Sequence, residues 1–287
     1  MTVLLSFGHG YSARAFGRRL LGEGWRVIGT SRSPQGAARI AATGAEAVVW
    51  PGAGMTAYLD AASHLLISAA PEAGGDPVLA RLRDAIARRA GRFEWVGYLS
   101  TTAVYGDRQG GWVDETSALA PATERGRRRV AAEKAWLSVP GLPVHVFRLA
   151  GIYGPGRGPF AKVLAGTARR IVKPGQVFSR IHRDDIAQVL RASVARPNPG
   201  AVYNVCDNCA APPQDVIAEA ARLLGVPVPP AEPFAQAEMS AMARSFYAES
   251  KRVSNRRIRE ELGVTLIHPD YRHGLRALLA EAENGQF

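Results

Sequence analysis

The chain has 287 residues, of which 47% are hydrophobic, enough to bury one large core and a smaller lobe and too many for a disordered chain. No apolar stretch reaches the ~18 residues of a membrane span, and the chain enters a strand almost at once, so a cytoplasmic protein without a leader or a membrane partner is expected. The formal charge of +11 comes from 36 basic and 25 acidic residues. The basic residues are scattered, without a basic face or docking module, so no nucleic-acid partner is expected and a small anionic ligand fits better.

Val3-Leu4-Leu5-Ser6-Phe7 is an apolar run of strand length. It breaks at Gly8-His9-Gly10-Tyr11-Ser12-Ala13, which has the form G-x-G-x-x-A. From Arg14 to Gly22, Ala15, Phe16, Leu20 and Leu21 recur at helical spacing, and Trp25 to Thr30 reads as a second strand. That order suits a dinucleotide. Gly8 permits the tight turn, Gly10 lets the backbone approach a pyrophosphate, and the small Ala13 lets helix and strand pack closely. Tyr11 and Ser12 open the helix, whose unpaired N–H groups and partial positive charge favour phosphates.

After the second strand, an acidic residue about 20 residues beyond the turn grips the ribose 2′-hydroxyl of NAD. Here the strand ends Gly29-Thr30-Ser31-Arg32-Ser33, with no carboxylate. Arg32, with the Ser31 and Ser33 hydroxyls, suits a 2′-phosphate, so NADP(H) is favoured over NAD(H). The alternative is a solvated loop arginine in a chain with 32 arginines.

Strand-like and helix-like segments alternate through about residue 150: a helix near 36–43, strands near 45–49 and 64–68, a helix over 78–89, a strand over 93–99, a helix near 125–137 and a strand over 144–148. This rhythm predicts an α/β fold with a doubly wound parallel sheet. Beyond Gly151, proline and glycine cluster at 154–159 and again over 227–233. A dinucleotide domain over 1–153 is therefore expected, with 175–205 returning to it, and a smaller C-terminal substrate lobe over 154–174 and 206–287. Cys206-Asp207-Asn208-Cys209 is a single C-x-x-C with no second pair, which is too few ligands for structural zinc, and it lacks the early-strand context of a redox motif. No metal is expected there.

Several segments, in order, resemble the extended short-chain dehydrogenase/reductase family, which includes the nucleotide-sugar epimerases and dehydratases. Ser100-Thr101-Thr102-Ala103-Val104-Tyr105-Gly106 resembles its Ser/Thr pair ahead of V-Y-G, and Arg148 to Gly156 resembles its R-x-x-x-x-Y-G-P-G turn. His182-Arg183-Asp184-Asp185 is similar to its H-V-D-D segment, and Tyr203-Asn204-Val205 to its Y-N-V strand. Ser68-Ala69-Ala70-Pro71 looks like the third cofactor-binding segment of atypical members. The resemblance implies a Rossmann-like fold, redox chemistry with a nicotinamide cofactor, a small anionic substrate of the nucleotide-sugar kind and a homodimer.

The family's chemistry rests on a tyrosine acid/base and a lysine four residues later, completed by a Ser or Thr that Thr101 matches. The helix that normally reads Y-G-x-x-K-x-x-x-E runs Arg125-Gly126-Arg127-Arg128-Arg129-Val130-Ala131-Ala132-Glu133 here, so arginines stand at both dyad positions. Arg125 cannot donate a proton near neutral pH, whereas Arg129 retains the charge needed to hold a ribose hydroxyl or phosphate. Four-residue spacing puts both on one helix face, beside Thr101, and at least one is expected to meet a phosphate, an anion or an acidic side chain. Tyr98, Tyr105 and His182 are the substitute acids, each with a core or corner role as the alternative. The resemblance also implies a diphosphate-gripping arginine where Phe178 stands. Arg180, two residues on, and Arg157 in the G-P-G turn are the candidate substrate residues. Trp50 is either an adenine stack or a core residue. Two functions compete: redox catalysis through a non-standard site, and a non-catalytic dinucleotide-sensing protein.

Overall fold

The structure is a computed structural model that describes residues 1–283. Seven strands make one parallel sheet: β1 (Val3–Phe7), β2 (Arg26–Ser31), β3 (Glu46–Val49), β4 (His64–Ile67), β5 (Trp95–Thr101), β7 (Val144–Leu149) and β11 (Val202–Val205). Their spatial order is β11-β7-β5-β4-β1-β2-β3. Six short strands pair two by two outside it: β6 (Trp112–Val113) with β13 (Arg252–Val253), β8 (Gly151–Tyr153) with β10 (Arg180–His182), and β9 (Arg170–Val172) with β12 (Ala231–Pro233). Strands β1, β4 and β7 are buried throughout; β1 and β4 therefore read as largely apolar runs rather than alternating ones, while β7 carries His145 and Arg148 inside the core.

Helices cover both faces. On one, α1 (Tyr11–Gly22) and α7 (Arg183–Ala195) bring Phe16, Leu20, Ile186 and Leu190 onto the sheet. On the other, α3 (Met55–Ala61), α4 (Leu79–Ala87) and α5 (Glu124–Leu137) bring Leu59, Ile86 and Trp136. A third cluster, around Phe160, Val163, Val216, Tyr271 and Leu275, belongs to α6 (Phe160–Leu164), α8 (Pro213–Leu223) and α11 (Tyr271–Glu283). Helices α9 (Ala241–Phe246) and α10 (Arg256–Glu260) complete the C-terminal part.

Helix α2 spans Pro34–Ala41, earlier than the 36–43 expected, because Ser33 caps it by accepting the Gly36 N–H at 3.1 Å and Pro34 suits the first turn. Strand β5 runs on to Thr101, past the predicted end at 99, because its last residues pair with Arg148 and Leu149. Of the segment expected to return to the first domain, α7 packs on α1 and β11 joins the sheet beside β7, whereas β10 pairs with β8. No helix among the described residues is long and apolar enough to cross a membrane.

Candidate functional site

The strand order changes direction at β1, whose neighbours are β2 and β4. Open α/β sheets bind ligands beyond the carboxyl ends of their strands at such a point. A cleft of about 470 Å³ opens there, lined by Gly8, His9, Gly10, Arg14, Ser31, Arg32, Ser68, Ala69 and Ala70 among others. Gly8 sits at φ +75°, and a Cβ on it would stand 2.8 Å from Ala69 N, so only glycine lets the loops after β1 and β4 touch. Its N–H donates to Thr30 Oγ1 at 2.9 Å, tying the turn to β2. No side chain caps α1, and its first turn holds no carboxylate, so the N–H groups that open it have no partner within the helix. Ser12 and Ala13 are buried against the strands, and the half-buried Tyr11 donates its hydroxyl to Pro155 O at 2.9 Å, fastening the head of α1 to the G-P-G turn.

Between the two turn glycines, His9 points inward. Its ring packs on Gly17 and Gly29, where a Cβ would stand 2.7 Å from ring atoms. Both ring nitrogens lack a partner, and burial, helped by Arg14, lowers its pKa to about 4, so the imidazole is neutral at pH 7.

At the end of β2, Ser31, Arg32, Gly36 and Arg39 form one wall of the cleft, with Arg14 and Arg81 elsewhere in its lining. The single carboxylate in that lining is Glu72, 3.5 Å from Arg32, with both side chains mostly exposed. Such surface pairs contribute at most ~1 kcal/mol, so an anion can displace Glu72. Arg14, Gly36, Arg39 and Arg81 were not singled out from the sequence. A basic residue one turn into the helix after β2 was the available signal for Arg39; nothing local marked Arg81. Trp50 is mostly a core residue, 5% exposed and edge-on to Phe7 at 5.3 Å, and contributes to the cleft lining.

The carboxyl end of β5 is organised differently. Ser100 donates to Glu133, which forms a buried ion pair with Arg148 at 2.9 Å. Arg148 also donates to Tyr105 Oη at 2.9 Å, and Tyr105 donates to Asn204 Oδ1 at 2.7 Å. Four segments carrying the family resemblance therefore meet in one buried chain of hydrogen bonds. Tyr105 is consumed by that chain, and burial pushes its hydroxyl pKa up. Tyr98 is fully buried, and burial raises its pKa well above the ordinary phenol value. The Tyr105 proton is engaged, whereas the Tyr98 hydroxyl has no partner among the described residues but is closed off from solvent.

Thr101 ends β5, half-buried, with its Oγ1 accepting the Ala103 N–H at 3.3 Å and its O–H left to donate. Arg129 donates to the Leu99 carbonyl and lies over the Tyr98 ring, 5.9 Å from its centroid. Arg125 is exposed and makes no ion pair among the described residues. Among the described residues neither arginine meets an acidic side chain: that part of the expectation is corrected, because the Leu99 carbonyl takes Arg129 and the exposed Arg125 faces solvent. Arg127 and Arg128 both pair with Glu124 on the solvated face.

The candidate substrate arginines are not brought together. Arg157 is exposed, 5.7 Å from the centroid of the Tyr11 ring. Arg180 donates to the Phe178 and Ala211 carbonyls at 2.9 and 3.0 Å, and burial lowers its pKa. Its charge lies near Asp207, whose own carboxyl burial raises to about 8. Arg180 is thus largely a lobe strut. Cys206 is buried, with its thiol on Val253 O at 3.1 Å, and burial raises the pKa of both Cys206 and Cys209. His182 sits at the strand-to-helix corner, where its Nδ1 accepts the Asp184 N–H at 3.3 Å.

No protein-family model matches the chain. It is 64% identical to a solved protein from Silicibacter pomeroyi DSS, described as functionally unknown and conserved, across 99% of this chain and 100% of that one, with a TM-score of 0.94. It is 29% identical over 237 residues to Protein YeeZ of Escherichia coli strain K12, covering 77% of this chain and 84% of YeeZ. A UDP-glucuronic acid 4-epimerase from Bacillus cereus, solved with NAD, is 16% identical across 100% of both chains, with a TM-score of 0.77. At that identity the likeness is one of fold.

Proposed function

From a chain that belongs to one family with the conserved Silicibacter pomeroyi protein and has the fold of the NAD-dependent epimerases and dehydratases, we propose a nicotinamide-dinucleotide-binding protein that prefers NADP(H) and performs redox chemistry on an anionic, nucleotide-sugar-like metabolite. The observation that carries this reading is the cleft itself. It joins an uncapped helix N-terminus, a glycine that admits no side chain, and a β2 end with Arg32, Arg39, Ser31 and Gly36 in place of a carboxylate.

The reading assigns each residue a task. Gly8, Gly10 and the N–H groups of Tyr11, Ser12 and Ala13 take the pyrophosphate. Ser31 and Arg32, with Arg39, take the 2′-phosphate, and Ser68, Ala69 and Ala70 line the adjoining ribose. A nicotinamide held there would supply or accept a hydride. Thr101 directs its free O–H toward the substrate oxygen, while Arg129 presents a fixed positive charge beside the end of β5. Arg157, with the lobe of residues 154–174 and 206–283, faces the anionic substrate, and Arg180 shapes that lobe.

A second reading, a dinucleotide sensor without turnover, draws on one observation: Tyr98 and Tyr105 are both buried, and an arginine stands at each position where the resemblance places the acid/base pair. The test starts with calorimetry of wild type and Arg32→Ala against NADP+ and NAD+. NADP+ should bind tighter to wild type, and Arg32→Ala should lose one or two charged hydrogen bonds, each about 1.5–3 kcal/mol, for NADP+ alone. NAD+ binding at least as tightly to wild type would sink the NADP(H) assignment. Absence of hydride transfer to any nucleotide-sugar, with binding intact, would favour the sensor.

A further inference from the structure

Away from the cleft, His182, Asp184 and His268 meet where α7 begins, and one ligand atom from each lies within 4.8 Å of the others. His182 is wholly buried, yet its Nε2 has no hydrogen-bond partner and its Nδ1 takes only the 3.3 Å N–H of Asp184. A buried polar atom left unpaired costs about 1–3 kcal/mol, so it calls for an explanation. The His268 ring lies 3.9 Å away, centroid to centroid, tilted 56°, with no hydrogen bond joining the two rings. Asp184 places Oδ2 3.7 Å from His182 Nδ1, and its Oδ1 accepts from Arg183 Nε at 3.1 Å.

We propose that His182, Asp184 and His268 bind a single divalent transition-metal ion, with zinc as the best chemical fit. Two imidazoles and one carboxylate suit zinc, cobalt or nickel, whereas calcium and magnesium prefer all-oxygen sets. Three protein ligands leave the fourth position to water, and binding through the unpaired Nε2 puts the His182 proton on Nδ1, giving up the 3.3 Å bond from the Asp184 N–H. Tetrahedral bonds of about 2.0–2.1 Å would bring the ligand atoms to about 3.3 Å apart. The half-buried Asp184 has room to close that gap by side-chain rotation.

The second partner is already held in place. The Asp185 carboxylate accepts the Ile267 N–H at 2.6 Å and the His268 N–H at 3.1 Å, fixing the segment that presents His268. An ion there would staple the start of α7 to the segment leading into α11, and so the C-terminal helix to the sheet domain. Arg183, bonded to Asp184, opposes a cation and keeps the affinity moderate.

The test strips the full chain of metal with a chelator, then titrates it with zinc alone, read by calorimetry and native mass spectrometry. One zinc per chain is expected, with a zinc-dependent rise in melting temperature. Asp184→Asn and His268→Ala should each weaken zinc at least about tenfold while dinucleotide affinity stays unchanged. His273→Ala removes an exposed imidazole paired with Asp270 at 2.9 Å and should leave zinc binding intact. No stoichiometric zinc on wild type, undiminished binding by Asp184→Asn, or a loss that follows His273→Ala would each overturn the site. Asp184 is partly exposed and caps nothing with its side chain, so its variant keeps the test decisive even if His268→Ala fails to fold.

Discussion

Beside the head of α1, a cleft opens along Gly8, His9 and Gly10 and four arginines line its walls, with Glu72 as the one carboxylate among them. At the end of β5, Ser100, Glu133, Arg148, Tyr105 and Asn204 satisfy one another inside the core, and Arg129 is held by the Leu99 carbonyl. The first region has polar capacity to spare and can receive an anion. The second spends most of its capacity on the fold. Sequence motifs of similar visibility thus mark two different things, the cleft proposed for the dinucleotide and a strut.

The largest expected effect breaks the strut. Arg148→Met leaves Glu133 buried without its cation and should cost about 3–5 kcal/mol in chemical denaturation, with dinucleotide affinity of the folded protein unchanged. A variant of full stability that no longer binds would place this network in the site instead.

Gly8→Ala attacks the first region. The φ of +75° and the 2.8 Å approach to Ala69 N should cost about 1–3 kcal/mol and weaken dinucleotide binding, since the turn must shift. If calorimetry shows binding undisturbed, the turn is not the phosphate cradle.

His9 sharpens the comparison through pH. Burial holds its folded pKa at about 4, below the ordinary 6.5, so the unfolded chain takes up the proton first. The stability it contributes is fully present above pH 6.5 and is lost as the pH falls from there toward 4. Denaturation midpoints should drop over that window in wild type and drop less in His9→Leu. Equal slopes would assign the titration to other groups.

Arg125→Ala should be the mildest change, within about ±0.5 kcal/mol in stability, because the side chain is exposed and unpaired. A marked loss of dinucleotide affinity, read by calorimetry, would show that Arg125 reaches the ligand after all.

What the amino-acid order determined alone is what short-range physics controls. The apolar runs of β1 and β4, the glycine turn after β1, the arginine at the end of β2 and the alternation of strand with helix are each written within a few residues. The ordered series of motifs pointed to the same fold. Tertiary structure decided which polar residues are free. Glu133 meets Ser100 across 33 positions, Asn204 meets Tyr105 across 99, and Arg129 reaches Leu99 across 30. The inward turn of His9 depends on Gly17 and Gly29 lying opposite it, and the placing of His268 beside His182 depends on Asp185 holding the Ile267–His268 backbone. Periodicity assigns a residue to an element and a face, but hydrogen-bond partners are chosen by how those faces pack. That is why Tyr105 could be read as a free acid in the chain and proves to be held inside the fold, while Arg180 gives one nitrogen to the Phe178 and Ala211 carbonyls.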